Sequence, residues 1–294
     1  MKKFRGTGVA IVTPFRADSS IDFTAMGRII NHVIEGGVNY IVLMGTTGES
    51  VTLTKDEKKA LTAYVLESID GRVPLVVGIG GNSTQEVINY IKQVNLSCID
   101  GILSVAPYYN KPGQSGLYQH FAAIATCSPL PVILYNVPGR TCSNISSDTC
   151  LQLAHDFENI IGIKEASGDM GQIMRILRGK PENFNLISGD DLMTIPIIAA
   201  GGTGVISVLA NAFPGQCSEI VNQSLKSNFK VAREIQYRFL EIGDLLFSEG
   251  NPAGVKAMLH QMKFCQNTLR LPLVPVTTAT YTRIQKAIEE VNKK

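Results

Sequence analysis

The sequence predicts an α/β protein folded as a (β/α)8 TIM barrel with a C-terminal helical extension. Eight short apolar runs rich in Val and Ile alternate with longer segments of helical pattern. The chain has 294 residues, which is enough for one barrel of about 250 residues. No G-x-G-x-x-G follows the first run, and that motif would favour the alternative, an open doubly wound sheet.

The eight runs are continuous rather than alternating, which is typical of parallel strands covered on both faces. They are GVAIVT (8–13), YIVLM (40–44), LVVGI (75–79), GILSVA (101–106), PVILYN (131–136), IIGIK (160–164), NLIS (185–188) and GVISVL (204–209). Capping-box patterns at Thr54–Glu57 and Ser83–Glu86 begin two of the helices between them.

Two regions follow from this pattern. Residues 1–224 are predicted to form the catalytic barrel, and residues 225–294 the helical extension packed on it. The extension is predicted to be helical throughout, with one break at Leu271–Pro275.

Composition excludes several classes of protein. The net charge of +2 gives no support for nucleic-acid binding, and no stretch approaches the ~20 apolar residues of a membrane span. The apolar run near the start is too short for a signal peptide. The six cysteines have no C-x-x-C spacing, and reduced thiols are typical of a cytoplasmic protein. The four histidines fall in helical patterns without metal-ligand spacing, so no metal site is predicted.

Lys164 is the candidate nucleophile because it ends an apolar strand, where the active site of a barrel is expected. The other lysines fall in predicted helices, loops or termini and are expected to be solvated. Burial favours the neutral amine, which is the form that attacks a carbonyl carbon. The alternative is a structural lysine paired with Glu165 or Asp190.

Three further features lie at the predicted strand ends. Tyr135 ends the strand before that of Lys164, and its phenol is either a proton carrier or a packing group. The loop Gly45–Ser50 has the Gly and hydroxyl residues of an anion-binding nest, although such turns are common. Arg140 is either a bidentate carboxylate ligand or a surface arginine.

Five sequence strings occur in a defined order: GTTGES (45–50), APYYNKP (106–112), YNVPGRT (135–141), GIKEASGD (162–169) and SGDD (188–191). Together they resemble the 4-hydroxy-tetrahydrodipicolinate synthase family, a branch of the pyruvate-dependent class I lyases and aldolases. The resemblance covers nearly the whole chain. It implies a Schiff-base lyase of the diaminopimelate and lysine biosynthetic route.

The resemblance also implies the catalytic roles. Lys164 would form the imine with pyruvate, and Tyr135 would donate and accept protons. Thr46 and Tyr109 would complete a proton relay, with Tyr109 reaching into a neighbouring subunit. A homo-oligomer follows, with a tetramer built as a dimer of dimers favoured over a dimer.

The same resemblance assigns the binding pocket. Thr47, Gly189 and Ile206 would hold pyruvate, and Arg140 would bind the carboxylate of L-aspartate 4-semialdehyde. The imine serves as the electron sink, so no cofactor is expected. The alternative within the superfamily is a sugar-acid aldolase acting on N-acetylneuraminate or 2-keto-3-deoxygluconate, but its members generally lack the GRT sequence after the tyrosine. A non-catalytic barrel is the alternative from another class.

Lysine-inhibited members of the family bind lysine at a subunit interface. The matching positions here are Ser50, Val51, Lys55, Lys58, Asn82, Glu86 and Tyr108. Lys55 and Lys58 stand where inhibited members commonly have histidines. Because like charges repel, we expect lysine inhibition to be weak or absent, although Glu86 would still attract the effector's amino group.

Overall fold

The computed structural model describes residues 3–292 and forms a closed barrel of eight parallel strands in chain order. The strands are β1 (Gly6–Ala10), β2 (Tyr40–Leu43), β3 (Leu75–Gly78), β4 (Gly101–Val105), β5 (Val132–Asn136), β6 (Ile160–Glu165), β7 (Asn185–Ser188) and β8 (Gly204–Ser207). β8 pairs with β1 and closes the barrel. The predicted fold is therefore confirmed.

Helices cover the outside of the barrel and form the C-terminal region. They are α1 (Phe23–Glu35), α2 (Lys55–Ile69), α3 (Thr84–Gln93), α4 (Gln114–Cys127), α5 (Pro138–Thr141), α6 (Ser147–Asp156), α7 (Met170–Gly179), α8 (Thr194–Ala199), α9 (Pro214–Leu225), α10 (Phe229–Tyr237), α11 (Leu240–Phe247), α12 (Ala253–Gln261) and α13 (Thr278–Asn292). None of the helices between residues 3 and 292 has the length and hydrophobicity needed to cross a lipid bilayer.

The strand boundaries differ most from prediction at the first and last strands. β1 begins at Gly6 and ends at Ala10, although the apolar run continues to Thr13. β8 ends at Ser207 because the chain turns into a 3-10 helix at Leu209–Asn211. Burial continues past both strand ends, so an apolar run does not mark where the hydrogen-bonded ladder stops.

Two apolar layers hold the fold together. Side chains pointing into the barrel, such as Val42, Leu103 and Ile187, form the inner core. Tyr40 lies across this interior, and a Cβ at Gly8 would lie 2.3 Å from its ring, so the glycine provides the space that the ring occupies. The larger core lies between the barrel and the surrounding helices.

The C-terminal region departs from the expectation of continuous helix. Residues 262–277, between α12 and α13, are non-helical, so the predicted break at Leu271–Pro275 is too short. The backbone N–H of Arg270 donates to Glu49 Oε2 at 3.1 Å, and that of Thr277 donates to Glu249 Oε2 at 2.8 Å. These contacts with distant side chains take the place of helical hydrogen bonds. The division at residues 224/225 stays a prediction, and α9 ends at Leu225.

Candidate active site

Lys164 and Tyr135 face each other on neighbouring strands. The register of β5 and β6 pairs them directly, and Lys164 Nζ lies 4.5 Å from the centroid of the Tyr135 ring. Each is the penultimate residue of its strand, and both side chains are buried, Lys164 being only 4% exposed. The parallel register therefore places an amine and a phenol together at the carboxyl end of the barrel.

Glu165 does not pair with Lys164. Its carboxylate accepts from Asn136 Nδ2 at 3.1 Å, Gln172 Nε2 at 2.9 Å and the Ser167 backbone N–H at 2.8 Å. Asp190 accepts from backbone N–H groups that follow it, such as that of Leu192 at 2.9 Å. Among the residues that the structure describes, no carboxylate lies within 4.0 Å of the Lys164 amine. The alternative of a structural ion pair therefore lacks a partner.

The residues expected to hold pyruvate lie directly after β7, on β8 and in the loop after β2. Gly189 follows β7 and contacts Lys164, since a Cβ at this position would lie 3.0 Å from Lys164 Cε and 2.6 Å from Ala166 Cβ. Ile206 is fully buried on β8 in the same inner core as Tyr135. Gly189 therefore lies beside the Lys164 side chain, and Ile206 lies in the inner core that Tyr135 shares.

Thr46 and Thr47 lie in a single 3-10 turn, Thr46–Gly48, directly after β2. The first N–H groups of such a turn have no acceptor within it, which leaves them free to bind an anion. The Thr13 hydroxyl donates to the Gly48 carbonyl at 2.7 Å, and Thr47 Oγ1 accepts from Asn251 Nδ2 at 3.0 Å. The loop is thus held both from the segment that follows β1 and from the C-terminal region.

Lys256 is a second fully buried lysine, so the expectation that every lysine except Lys164 is solvated is wrong. Its ammonium forms an ion pair with Glu49 and donates to the Thr268 carbonyl at 2.9 Å. Burial lowers its pKa, while Glu49 acts in the opposite direction. The apolar neighbours in AGVKAML, residues 253–259, were the signal in the sequence for a buried position.

Arg140 lies in the short helix α5 that follows β5, and it is exposed. No salt bridge to Arg140 is found within residues 3–292. Its guanidinium is therefore available to a ligand that enters from solvent.

Tyr108 and Tyr109 do not join the site within one chain. Tyr109 is 88% exposed with a left-handed backbone conformation (φ 73°), and Tyr108 is 37% exposed. Between residues 3 and 292, no hydrogen bond connects Tyr109 to Tyr135 or Thr46. A relay that contained all three residues would need Tyr109 from another copy of the chain.

The candidate effector residues follow three consecutive strands, β2, β3 and β4, and share one sector of the barrel rim. Val51, Lys55 and Glu86 are exposed, and Ser50, Lys58 and Asn82 are half-buried. The Asn82 carbonyl accepts from Asn110 Nδ2 at 3.2 Å, which connects two of these loops. Partial burial lowers the pKa of Lys58.

Comparison with known proteins gives consistent matches over the whole chain. The model of the dihydrodipicolinate synthetase family matches residues 3–291. The 4-hydroxy-tetrahydrodipicolinate synthase of Flavobacterium psychrophilum is 48% identical over 293 residues, which cover 100% of both chains.

Solved structures also match the chain over nearly its whole length. The dihydrodipicolinate synthase of Thermotoga maritima is 40% identical with a TM-score of 0.96, covering 99% of both chains. A monomeric dihydrodipicolinate synthase variant is also 40% identical with a TM-score of 0.96, covering 99% of this chain and 97% of its own. These matches confirm the predicted lyase and favour the synthase over the sugar-acid aldolase. The chain therefore belongs to the dihydrodipicolinate synthetase family.

Proposed function

We propose that the chain condenses pyruvate with L-aspartate 4-semialdehyde to give 4-hydroxy-tetrahydrodipicolinate through a Schiff base on Lys164. The observation that carries this proposal is the buried Lys164 amine beside the Tyr135 phenol, with no carboxylate within 4.0 Å among the described residues. The neutral form of an amine is the one that attacks a carbonyl carbon.

The reaction begins when the amine attacks the ketone carbon of pyruvate. Proton transfers through Tyr135 allow water to leave and form the imine, which loses a methyl proton to become an enamine. The enamine carbon attacks the aldehyde carbon of the second substrate. The substrate's amino group then attacks the imine carbon, the ring closes, and the Lys164 amine is released. We propose no cofactor, since the protonated imine accepts the electron pair when the methyl proton leaves, and the enamine then supplies that pair to the aldehyde carbon.

The binding roles follow from position. Thr47 and the free N–H groups of its turn bind the pyruvate carboxylate, and Gly189 and Ile206 shape the pocket. Arg140 binds the carboxylate of the aldehyde, because its exposed guanidinium offers a planar pair of donors. Thr46 joins the relay from the same turn as Thr47.

We propose that the chain works as a homo-oligomer, a tetramer built as a dimer of dimers. The exposure of Tyr109 and of Val51, at 88% and 83%, supports this, since large apolar side chains on one rim are typical of an interface. In the oligomer, Tyr109 of one chain completes the relay of its neighbour. Sedimentation velocity on wild type and Tyr109→Phe tests the assembly, and a monomer with full turnover would contradict it.

We also propose a cytoplasmic location. All six cysteines are free, and reduced thiols persist in the cytoplasm.

The test of the proposed reaction is borohydride reduction in the presence of pyruvate, read by intact mass. Wild type should gain one pyruvate adduct and Lys164→Ala none, while Lys230→Ala, a control at an exposed lysine of α10, should still gain one. Turnover with L-aspartate 4-semialdehyde should follow in wild type. An adduct without turnover would indicate another aldehyde substrate, and no adduct would refute Lys164 as the nucleophile.

A further inference from the structure

Asn251 connects the C-terminal region to the site. It precedes α12, and its side chain is buried with Nδ2 donating to Thr47 Oγ1 at 3.0 Å. This contact joins residues 204 positions apart in the chain. No motif in the sequence assigned a function to this residue.

The hydrogen bond constrains the Thr47 hydroxyl. A threonine hydroxyl has one proton to donate, and its oxygen accepts through lone pairs. Because the oxygen accepts from Asn251, the proton points away from that amide. No acceptor for this proton is found among residues 3–292, although Thr47 is only 2% exposed. A buried hydroxyl with an unused proton is suited to donate to a bound anion.

A second contact holds the two segments in register. Lys256, five residues after Asn251, pairs with Glu49, two residues after Thr47. Both side chains of this ion pair are fully buried. The carboxylate of Glu49 also accepts from the Arg270 N–H at 3.1 Å. Two separate contacts therefore set the position of the Thr47 turn relative to Asn251.

We propose that Asn251 is a positioning residue for pyruvate: its amide donates to Thr47 and so directs the Thr47 hydroxyl proton to the pyruvate carboxylate. This inference rests on the proposed function, in which Thr47 binds that carboxylate. Asn251 acts through Thr47 and not by touching the reacting atoms. Its effect belongs to pyruvate binding and is separate from the carbon–carbon step.

The experiment replaces the donor by an acceptor. In Asn251→Asp the carboxylate accepts the Thr47 proton, so the hydroxyl no longer donates to pyruvate. The pyruvate concentration that half-saturates borohydride trapping, measured without the aldehyde, should rise about tenfold, the effect of losing one charge-assisted hydrogen bond. The KM for the aldehyde should change less than twofold. An unchanged trapping concentration would mean that Asn251 accepts from Thr47 and would overturn the inference.

A double variant separates positioning from direct repulsion. In a Thr47→Val background, Asn251→Asp should change the half-saturating concentration less than twofold, because the hydroxyl that it acts on is gone. A full effect in that background would show that the new carboxylate repels pyruvate directly, against the inference. If Asn251→Asp does not fold, Asn251→Ala takes its place, with an expected increase of two- to fivefold that also disappears with Thr47→Val.

The proposed function is judged independently in the same assay. Wild-type protein that forms no adduct, or an adduct that survives Lys164→Ala, refutes the proposed function. A wild-type adduct that depends on Lys164 but is indifferent to Asn251 refutes only the positioning role.

Discussion

Glu49 and Lys256 form a fully buried ion pair that ties the loop after β2 to α12. Lys256 Nζ also lies 4.1 Å from the centroid of the Phe15 ring, and the Arg270 backbone N–H donates to Glu49 Oε2 at 3.1 Å. Glu49 follows the Thr46–Gly48 turn directly, with a left-handed backbone conformation (φ 51°) and a fully buried side chain. The C-terminal region is therefore part of the support of the active site.

Loss of one partner of this ion pair should be costly. Lys256→Met leaves the Glu49 carboxylate buried without its counter-charge, and such a loss costs about 3–5 kcal/mol of unfolding free energy. Thermal unfolding should show a large decrease in Tm. The double variant Glu49→Gln/Lys256→Met should recover at least half of the decrease, since no unpaired charge then remains. Single variants with the wild-type Tm would show that the ion pair does not stabilise the fold.

Gly189→Ala should impair imine formation. The new Cβ would lie 2.6 Å from Ala166 Cβ and 3.0 Å from Lys164 Cε, closer than packed carbons tolerate. We expect the rate of borohydride-trapped adduct formation to fall at least tenfold, since small misplacements of a reacting group are expensive. Gly215→Ala is the matched control, because a Cβ there meets no atom within 4 Å. Equal rates in the two variants would contradict the contact with Lys164.

Arg140→Ala should affect only the second substrate. The guanidinium is exposed after β5, so its removal should raise the KM for L-aspartate 4-semialdehyde about tenfold or more, as expected for a lost charge-assisted pair. Pyruvate trapping should be unchanged. Arg140→Lys should recover only part of the loss, because an ammonium lacks the paired donors. Arg178→Ala, an exposed arginine in the last turn of α7, should behave as wild type. Weaker pyruvate trapping in Arg140→Ala would show instead that Arg140 binds pyruvate.

Stability should depend on pH through His120. Burial lowers the pKa of this imidazole to about 4 from 6.5, and its Nδ1 lies 2.8 Å from the Thr84 hydroxyl. The unfolded chain binds the proton first, so this residue lowers the unfolding free energy as the pH falls from about 6.5 to about 4, by up to about 1.4 kcal/mol per pH unit. His120→Gln should flatten the dependence of Tm on pH in that window, and the exposed His155→Gln should not. If the Tm of His120→Gln changed with pH as steeply as that of the wild type, another residue would be responsible for the pH dependence.

Lysine should inhibit turnover weakly or not at all. Lys55 and Lys58 lie at the start of α2 beside the other candidate effector residues, and their charges oppose a cationic ligand. Removing both charges in Lys55→Ala/Lys58→Ala should increase sensitivity to lysine in a turnover assay. Inhibition of the wild type below millimolar lysine would contradict this electrostatic argument.

Local sequence patterns predicted the site on β5 and β6 well. Tyr135 and Lys164 were expected side by side because each closes an apolar run, and the parallel register pairs them. The strand ends, as at Ala10 and Ser207, were predicted less accurately, because buried residues continue beyond the last strand hydrogen bonds. The non-helical segment 262–277 was missed for a related reason: its backbone groups bond to distant carboxylates, and no local pattern records such partners.

The sequence by itself determined the eight-strand barrel and the order of the residues at its carboxyl end, because side-chain periodicity and short connections act locally. The tertiary structure alone decided that Lys256 is buried against Glu49 and that Asn251 reaches Thr47. Both contacts join segments about two hundred residues apart. The free energy of such a contact depends on whether the folded barrel removes both partners from water. The sequence of either segment alone does not indicate which distant residue it will meet.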